Sequence, residues 1–206
     1  MISGLRERKR ERNRALTAET AWRLFIERGY DNVTVADICE AAEIAPRTFH
    51  RYFPGKEDVV TEPLHRMAKI VADHIGASAP GESDIEVLRG AMTALARFAI
   101  DNRDLLIALR LVAERSHHIR AAYLGRPEHE HEIVGLLTAR HPGADPDEWP
   151  RRLLVACTVA TFRVWLEDYF ETRFADPVDR LRTILDAVFT AARSRDGVQP
   201  SPGSVA

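Results

Sequence analysis

Apolar residues recur along the chain with helical spacing, and nowhere do they settle into the alternation of a half-buried strand. An all-α fold is expected. The first helix runs from about Arg8 to Arg28, where Leu16, Ala18, Ala21, Trp22, Leu24, Phe25 and Ile26 supply an apolar stripe and Gly29 stands at the position of a C-terminal cap. After a turn at Tyr30-Asp31-Asn32, Thr34 is placed to cap a short second helix that reaches about Ala42, with Asp37 at the acidic position of a capping box. Pro46 opens a third helix, to about Tyr52, because a proline fits only the first turn. Pro54-Gly55 closes it, and a long fourth helix follows from Lys56 to about Ile75.

Gly76 to Ser83 is a loop by composition. Further helices are expected at about 84–101, 103–115, 127–140, 147–173 and 177–194, and residues 195–206 read as a disordered tail. The expected domains are 1–55 and 56–194.

Two short helices joined by a tight turn, Thr34–Ala42 and Pro46–Tyr52, make a helix-turn-helix whose second member can enter the DNA major groove. At about 100° per residue, Phe49 and Phe53 share one side of the third helix, facing Val35, Ile38 and Trp22. Arg47, Thr48 and Arg51 point the other way, flanked by His50 and Tyr52. Guanidinium, hydroxyl, imidazole and phenol groups are the mix that reads base edges and holds phosphates. Lys56 begins the fourth helix, where its charge and the helix-start N–H groups would grip one phosphate.

Net charge conceals this pattern. The chain carries 29 Lys+Arg against 31 Asp+Glu, a formal −2. Within residues 1–14, however, Arg6, Arg8, Lys9, Arg10, Arg12 and Arg14 face only Glu7 and Glu11. Arg8 and Arg12 are therefore candidates for a neighbouring phosphate or a minor groove.

The run Ile44-Ala45-Pro46-Arg47-Thr48-Phe49-His50-Arg51-Tyr52-Phe53-Pro54-Gly55-Lys56-Glu57-Asp58 resembles the helix-turn-helix signature of the TetR family of one-component bacterial regulators. Upstream, Phe25, Gly29-Tyr30, Thr34-Val35, Ile38 and Ala41-Ala42 fall where that signature expects them. The resemblance implies an N-terminal three-helix DNA-binding domain and a C-terminal helical domain for ligand binding and dimerisation. It also implies a homodimeric repressor that binds a palindromic operator in double-stranded DNA and is released by a small-molecule effector. Position by position, Thr34 matches a phosphate contact, Arg47, Thr48, His50 and Tyr52 match recognition-helix contacts, and Lys56 matches a phosphate-gripping lysine. The chain departs from the common pattern at His50, where Tyr is more usual, at Tyr52, where His is, and at Pro46-Arg47, in place of a small or glycine-containing pair.

The same resemblance pairs the helices at 147–173 and 177–194 with those of a second copy in a four-helix bundle; Leu153, Leu154, Ala156, Val159, Ala160, Leu181, Ile184, Leu185, Val188 and Phe189 supply their apolar faces, most of them serving the core and some expected between subunits. A dimer must hold its two recognition helices about one DNA turn apart, roughly 34–36 Å. An effector in the middle helices would tilt the fourth helix and change that separation. Candidate lining residues are Met67, Val71, Met92, Leu95, Phe98, Leu109, Arg110, Tyr123, Thr158, Thr161, Phe162 and Trp165. Arg110 sits in an apolar run and is expected to pair with Glu167 or Asp168, or with an anionic ligand.

Other classes find little in the chain. It has no Gly-rich phosphate loop, nucleophile elbow or His-Glu-x-x-His, so neither an enzyme nor a cofactor is expected. Metal sensing by Glu128-His129-Glu130-His131-Glu132 or His117-His118 competes weakly, since helical residues two apart face different ways. A helical protein-interaction domain without DNA binding is the remaining alternative. Cys39 and Cys157 allow at most one bridge, and both are expected as small packed residues. With no run of about 18 apolar residues and no apolar signal segment, a soluble, cytoplasmic protein is expected.

Overall fold

In the computed structural model, residues 2–115, 127–141, 149–172 and 174–193 are described, and their regular structure is entirely helical. The order is α1 (Ile2–Arg28), a 3₁₀ turn (Tyr30–Asn32), α2 (Val35–Ala41), α3 (Pro46–Tyr52), α4 (Lys56–Ala77), α5 (Asp84–Asp101), α6 (Arg103–Arg115), α7 (Pro127–Ala139), α8 (Trp149–Glu171) and α9 (Pro177–Arg193). Most bounds lie close to those read from the sequence. The exception is α1, which starts at Ile2 rather than near Arg8: no proline interrupts residues 2–14, and the single glycine there, Gly4, is carried within the helix. The expected tail at 195–206 lies outside the described residues.

Contacts group the chain into two compact units, Met1–Arg66 with Asn102–Arg126, and Met67–Asp101 with Pro127–Ala206. This partition differs from a boundary at residue 55. Two facts account for it: α4 runs unbroken through residue 66, and α6 packs on α1.

The first unit has an aromatic core. Trp22, Phe25, Phe49 and Phe53 are all buried, with Trp22 and Phe25 edge to face at 5.5 Å. Ala18, Ala21, Val33 and Ile38 fill the spaces between α1, α2 and α3. Burial of each large apolar side chain is worth about 1.5–3 kcal/mol. The apolar stripe of α1 is narrower than its sequence suggests, because Leu16 and Ile26 are 51% and 52% exposed. Gly29 ends α1 at φ 82, and its N–H bonds the Phe25 carbonyl at 3.0 Å.

Arg14 is the polar fastener of this unit. Both its Nη atoms donate to the Glu62 carboxylate of α4, Nη1 at 3.0 Å to Oε1, and its guanidinium lies 4.9 Å over the Phe53 ring. One side chain thus ties α1, the end of α3 and α4 together. Immediately after Glu62, Pro63 removes an N–H from the interior of α4, so the Val59 carbonyl lacks its usual helical donor.

In the second unit α5 packs on α8 and α9, and α7 packs on α8. Val87, Leu88, Ala91, Met92, Leu95, Ala96 and Ala99 form the buried side of α5. Arg89 Nη2 reaches Asp186 Oδ1 on α9 at 2.6 Å. At one corner a single carboxylate, Asp84, accepts from Arg140 (3.4 Å) and Arg151 (3.0 Å) and lies 2.9 Å from His141 Nε2. These contacts join the start of α5 to the end of α7 and the start of α8.

Candidate nucleic-acid interface

Lys56 reaches two carbonyls of the turn after α1, of which Tyr30 O also accepts from the Val33 N–H at 3.3 Å. Its Nζ donates to Tyr30 O and Val33 O, each at 3.0 Å, while lying 4.2 Å from the Tyr30 ring centroid. Lys56, expected as a phosphate grip, is half-buried as a bracket between the turn and α4, with one ammonium proton left for a phosphate or any other partner. Tyr30 in turn donates to Glu57 Oε1 at 3.1 Å, and burial together with the Glu57 carboxylate pushes its phenol far above the usual range.

Thr34 caps α2 in the expected capping box. Its hydroxyl donates to Asp37 Oδ2 at 2.5 Å and accepts from the Asp37 N–H at 3.2 Å, and its own N–H donates to the same carboxylate at 2.7 Å. These two donors from Thr34 hold the Asp37 carboxyl below the usual carboxylate range, with Arg28 adding to the effect. The Thr34 hydroxyl is therefore committed to the helix start, beside a carboxylate that a phosphate would have to tolerate. Cys39, on the inner side of α2, is buried, and that burial pushes its thiol up.

The turn into α3 runs through Glu43 in the left-handed region, at φ 53. Pro46 then occupies the first turn of α3, as its spacing implies. The helix is seven residues long, and Phe49, fully buried, fixes which side faces the core. Arg47, His50 and Arg51 are exposed, and Thr48 is half-buried. Among the described residues Arg47 has no hydrogen-bond or ion-pair partner. His50 Nδ1 lies 3.1 Å from the Pro54 carbonyl. A carbonyl only accepts, so Nδ1 carries the proton in that contact and Nε2 is the ring atom left for a partner.

Tyr52 overturns its expected place on the solvent face. It lies about 60° around the helix from Phe49, closer to the core side than to Arg47, and is only 9% exposed. Its ring lies beneath Arg51, with the guanidinium carbon 5.2 Å from the centroid and Nη2 3.4 Å from the hydroxyl. The aromatic ring thereby props the arginine above it.

Arg8 and Arg12 are exposed on α1. On the same helix Lys9, Arg10 and Asn13 join Arg51 and Tyr52 around an open cleft of about 430 Å³. The basic content of this segment was legible in the sequence; which of its faces turns toward α3 was not, because that depends on how α1 packs.

The candidate effector residues divide between the two units. Leu109 and Arg110 belong to the first, and Met67, Val71, Met92, Leu95, Phe98, Thr158, Thr161, Phe162 and Trp165 to the second; Tyr123 lies outside the described residues. Arg110 is half-exposed, and its Nε donates to Glu114 Oε1 at 3.3 Å, one turn along its own helix. On α8, Thr158, Thr161, Phe162 and Trp165 share the buried side. Their polar atoms are already satisfied. The Thr158 and Thr161 hydroxyls donate to the Leu154 and Cys157 carbonyls, each at 2.7 Å, and the Trp165 indole donates to the Pro177 carbonyl at 2.9 Å while stacking on Tyr169. Met67 and Phe98 are half-buried and keep surface that a ligand could cover.

No group of three metal-ligating side chains occurs among the described residues, and among them no helix is long and apolar enough to cross a membrane.

Residues 18–62, which span this helix-turn-helix, match the family model described as bacterial regulatory proteins, tetR family. Over 174 residues the chain is 30% identical to the HTH-type transcriptional regulator TcmR of Streptomyces glaucescens, a match that covers 81% of this chain and 77% of that protein. An HTH-type transcriptional regulator of Staphylococcus aureus strain USA300 is 30% identical over 95 residues, 46% of this chain and 51% of that protein. Among solved structures, a TetR-family transcriptional regulator from Syntrophomonas wolfei superposes with a TM-score of 0.66 at 19% identity, over 89% of this chain and 96% of that one. At that identity the likeness establishes the fold alone. The match to TcmR along most of both chains, with the family's own helix-turn-helix at residues 18–62, establishes descent as well: the protein belongs to the TetR family of bacterial regulatory proteins and is a DNA-binding transcriptional regulator.

Proposed function

We propose that the chain is a homodimeric repressor that binds a palindromic operator through α3 and is released by a small apolar effector. The observation that carries the DNA-reading part is the outer face of α3, where Arg47, His50 and Arg51 stand exposed over a buried aromatic base and Arg47 has no partner among the described residues. Arg47 is at the N-terminal end, the part of a recognition helix that meets base edges.

Support for the dimer comes from α8. Trp149, Leu153 and Val164 are 70%, 52% and 50% exposed, and Ala156, Cys157 and Ala160 lie half-buried between them. All six fall within an arc of roughly 100° on one helix, an apolar stripe of the width that normally faces a core. A second copy covering that stripe would remove the cost of its exposure. The effector is placed in the second unit, whose α5 and α8 contribute Met92, Leu95, Phe98 and Phe162; an apolar molecule suits them, since the neighbouring hydroxyls and indole are already bonded.

The test is a gel shift and footprint on the DNA upstream of the protein's own gene, with dimerisation followed by sedimentation. A protected inverted repeat is expected, together with Leu153→Asp monomers that bind it far more weakly. No shift at low salt from folded dimer would overturn the proposal.

A further inference from the structure

On the outer face of α3, His50 is the group whose hydrogen-bonding polarity the fold has already chosen. It stands exposed in the last turn of the helix, and its ring is held in two ways. Nδ1 lies 3.1 Å from the Pro54 carbonyl, four residues on and just past the helix end, where a helix leaves acceptors to be filled. The ring also meets the fully buried Phe49 edge to face, with centroids 5.5 Å apart and planes at 88°. A neutral imidazole carries one proton, and the carbonyl requires it on Nδ1. Nε2 is left as a lone-pair acceptor.

Around α3, His50 and Arg51 lie about 60° and 40° to either side of Arg47, so the three share one arc of about 100°. Their polarities differ. A guanidinium only donates, which suits guanine O6 and N7 or a phosphate. Nε2 only accepts, and a phosphate oxygen has no proton to give it. The donors that a major groove presents are the exocyclic amines, N4 of cytosine and N6 of adenine. We propose that His50 sets specificity at one base pair of each half-site, where its Nε2 accepts from the exocyclic amine of cytosine or adenine. Guanine O6 or thymine O4 in that place would set acceptor against acceptor and is rejected. The assignment rests on α3 being the DNA-reading helix, and it separates His50 from the cations beside it, which phosphate can satisfy.

The test takes the inverted repeat protected in the footprint and substitutes each base pair of the half-site in turn, with parent and His50→Ala affinities measured by fluorescence anisotropy at about pH 8, where an imidazole is neutral. One base pair is expected at which the parent favours cytosine or adenine by roughly 3- to 10-fold per half-site, the size of one hydrogen bond, and at which His50→Ala has no preference. Deleting the amine there decides between the two bases. Purine in place of adenine, or 2-pyrimidinone in place of cytosine, should weaken the parent by that same factor and leave His50→Ala unaffected. Nitrogen NMR of the free protein should find the His50 proton on Nδ1. A preference for guanine or thymine, equal losses in parent and variant on amine deletion, or a proton on Nε2 would overturn the proposal. So would a His50→Ala protein that weakens operator and unrelated DNA by the same factor, the mark of a phosphate contact. Arg47→Ala keeps the two levels apart. If Arg47→Ala and His50→Ala both retain the parent's full sequence preference, α3 is not the reader; if Arg47→Ala reduces that preference while His50→Ala keeps the parent's profile, only the His50 assignment fails.

Discussion

Two helices of this protein, α3 and α8, both set polar groups against aromatic rings, and they differ in where the hydrogen bonds go. On α8, the Thr158 and Thr161 hydroxyls and the Trp165 indole are fully provided for within the second unit, by Leu154, Cys157 and Pro177 carbonyls. On α3, Arg47 donates to nothing described, and His50 uses one ring nitrogen and keeps the other. Buried polar groups must be paired, while exposed ones left unpaired cost nothing in water and are ready for a partner. Helical spacing already sets Arg47 outside; the bonding adds that the polar groups of α8 are spent within the core while those of α3 stay available for recognition.

Breaking the α8 side should cost the most. Trp165→Ala removes a fully buried ring, its stack on Tyr169 and its bond to Pro177, and is expected to lower stability by about 3–5 kcal/mol in a denaturant titration. A loss under 1 kcal/mol would mean that the site is looser than it looks and open to ligand. Glu62→Ala comes next. It leaves the partly buried Arg14 with only the exposed Glu11 carboxylate, 3.4 Å away, and should cost about 1–3 kcal/mol, seen as a lower unfolding midpoint.

Arg47→Ala sharpens the comparison from the other side. Operator binding should weaken by about 1–3 kcal/mol, roughly 10- to 100-fold, while the unfolding midpoint stays within about 0.5 kcal/mol of the parent. The smallest effect is on pH. Asp37 is held below its ordinary 3.8, so the Thr34–Asp37 box stabilises α2 above the unfolded carboxylate pKa and is lost as pH falls through the lower folded value. Asp37→Asn should therefore remove a small part of the acid sensitivity below about pH 4, read from unfolding midpoints at a series of pH values.

Much of the fold was legible in local signals. Gly29 and Pro46 mark one helix end and one helix start, Thr34 and Asp37 mark another, and the 3.6-residue spacing placed Phe49 and Phe53 inside. What escaped depends on atoms far apart in sequence. Lys56 is drawn to carbonyls 23 and 26 residues earlier, and Arg14 to a glutamate 48 residues later. Tyr52 lies on the shoulder of a two-turn helix, where a few tens of degrees decide between solvent and core, and periodicity cannot resolve that. The packing of α6 on α1, which moves the unit boundary, has no local signature either.

The most direct test is a salt titration of operator affinity with the parent protein and Arg47→Ala side by side. Steep weakening with salt is expected in the parent, a slope of about −3.6 or steeper corresponding to four or more phosphates at about 0.9 each, with Arg47→Ala weaker at every salt concentration and its preference for the operator over unrelated DNA reduced by about 10- to 100-fold. A slope near zero, or an Arg47→Ala protein that still prefers the operator as strongly as the parent, would contradict the assignment of α3 as the surface that reads DNA.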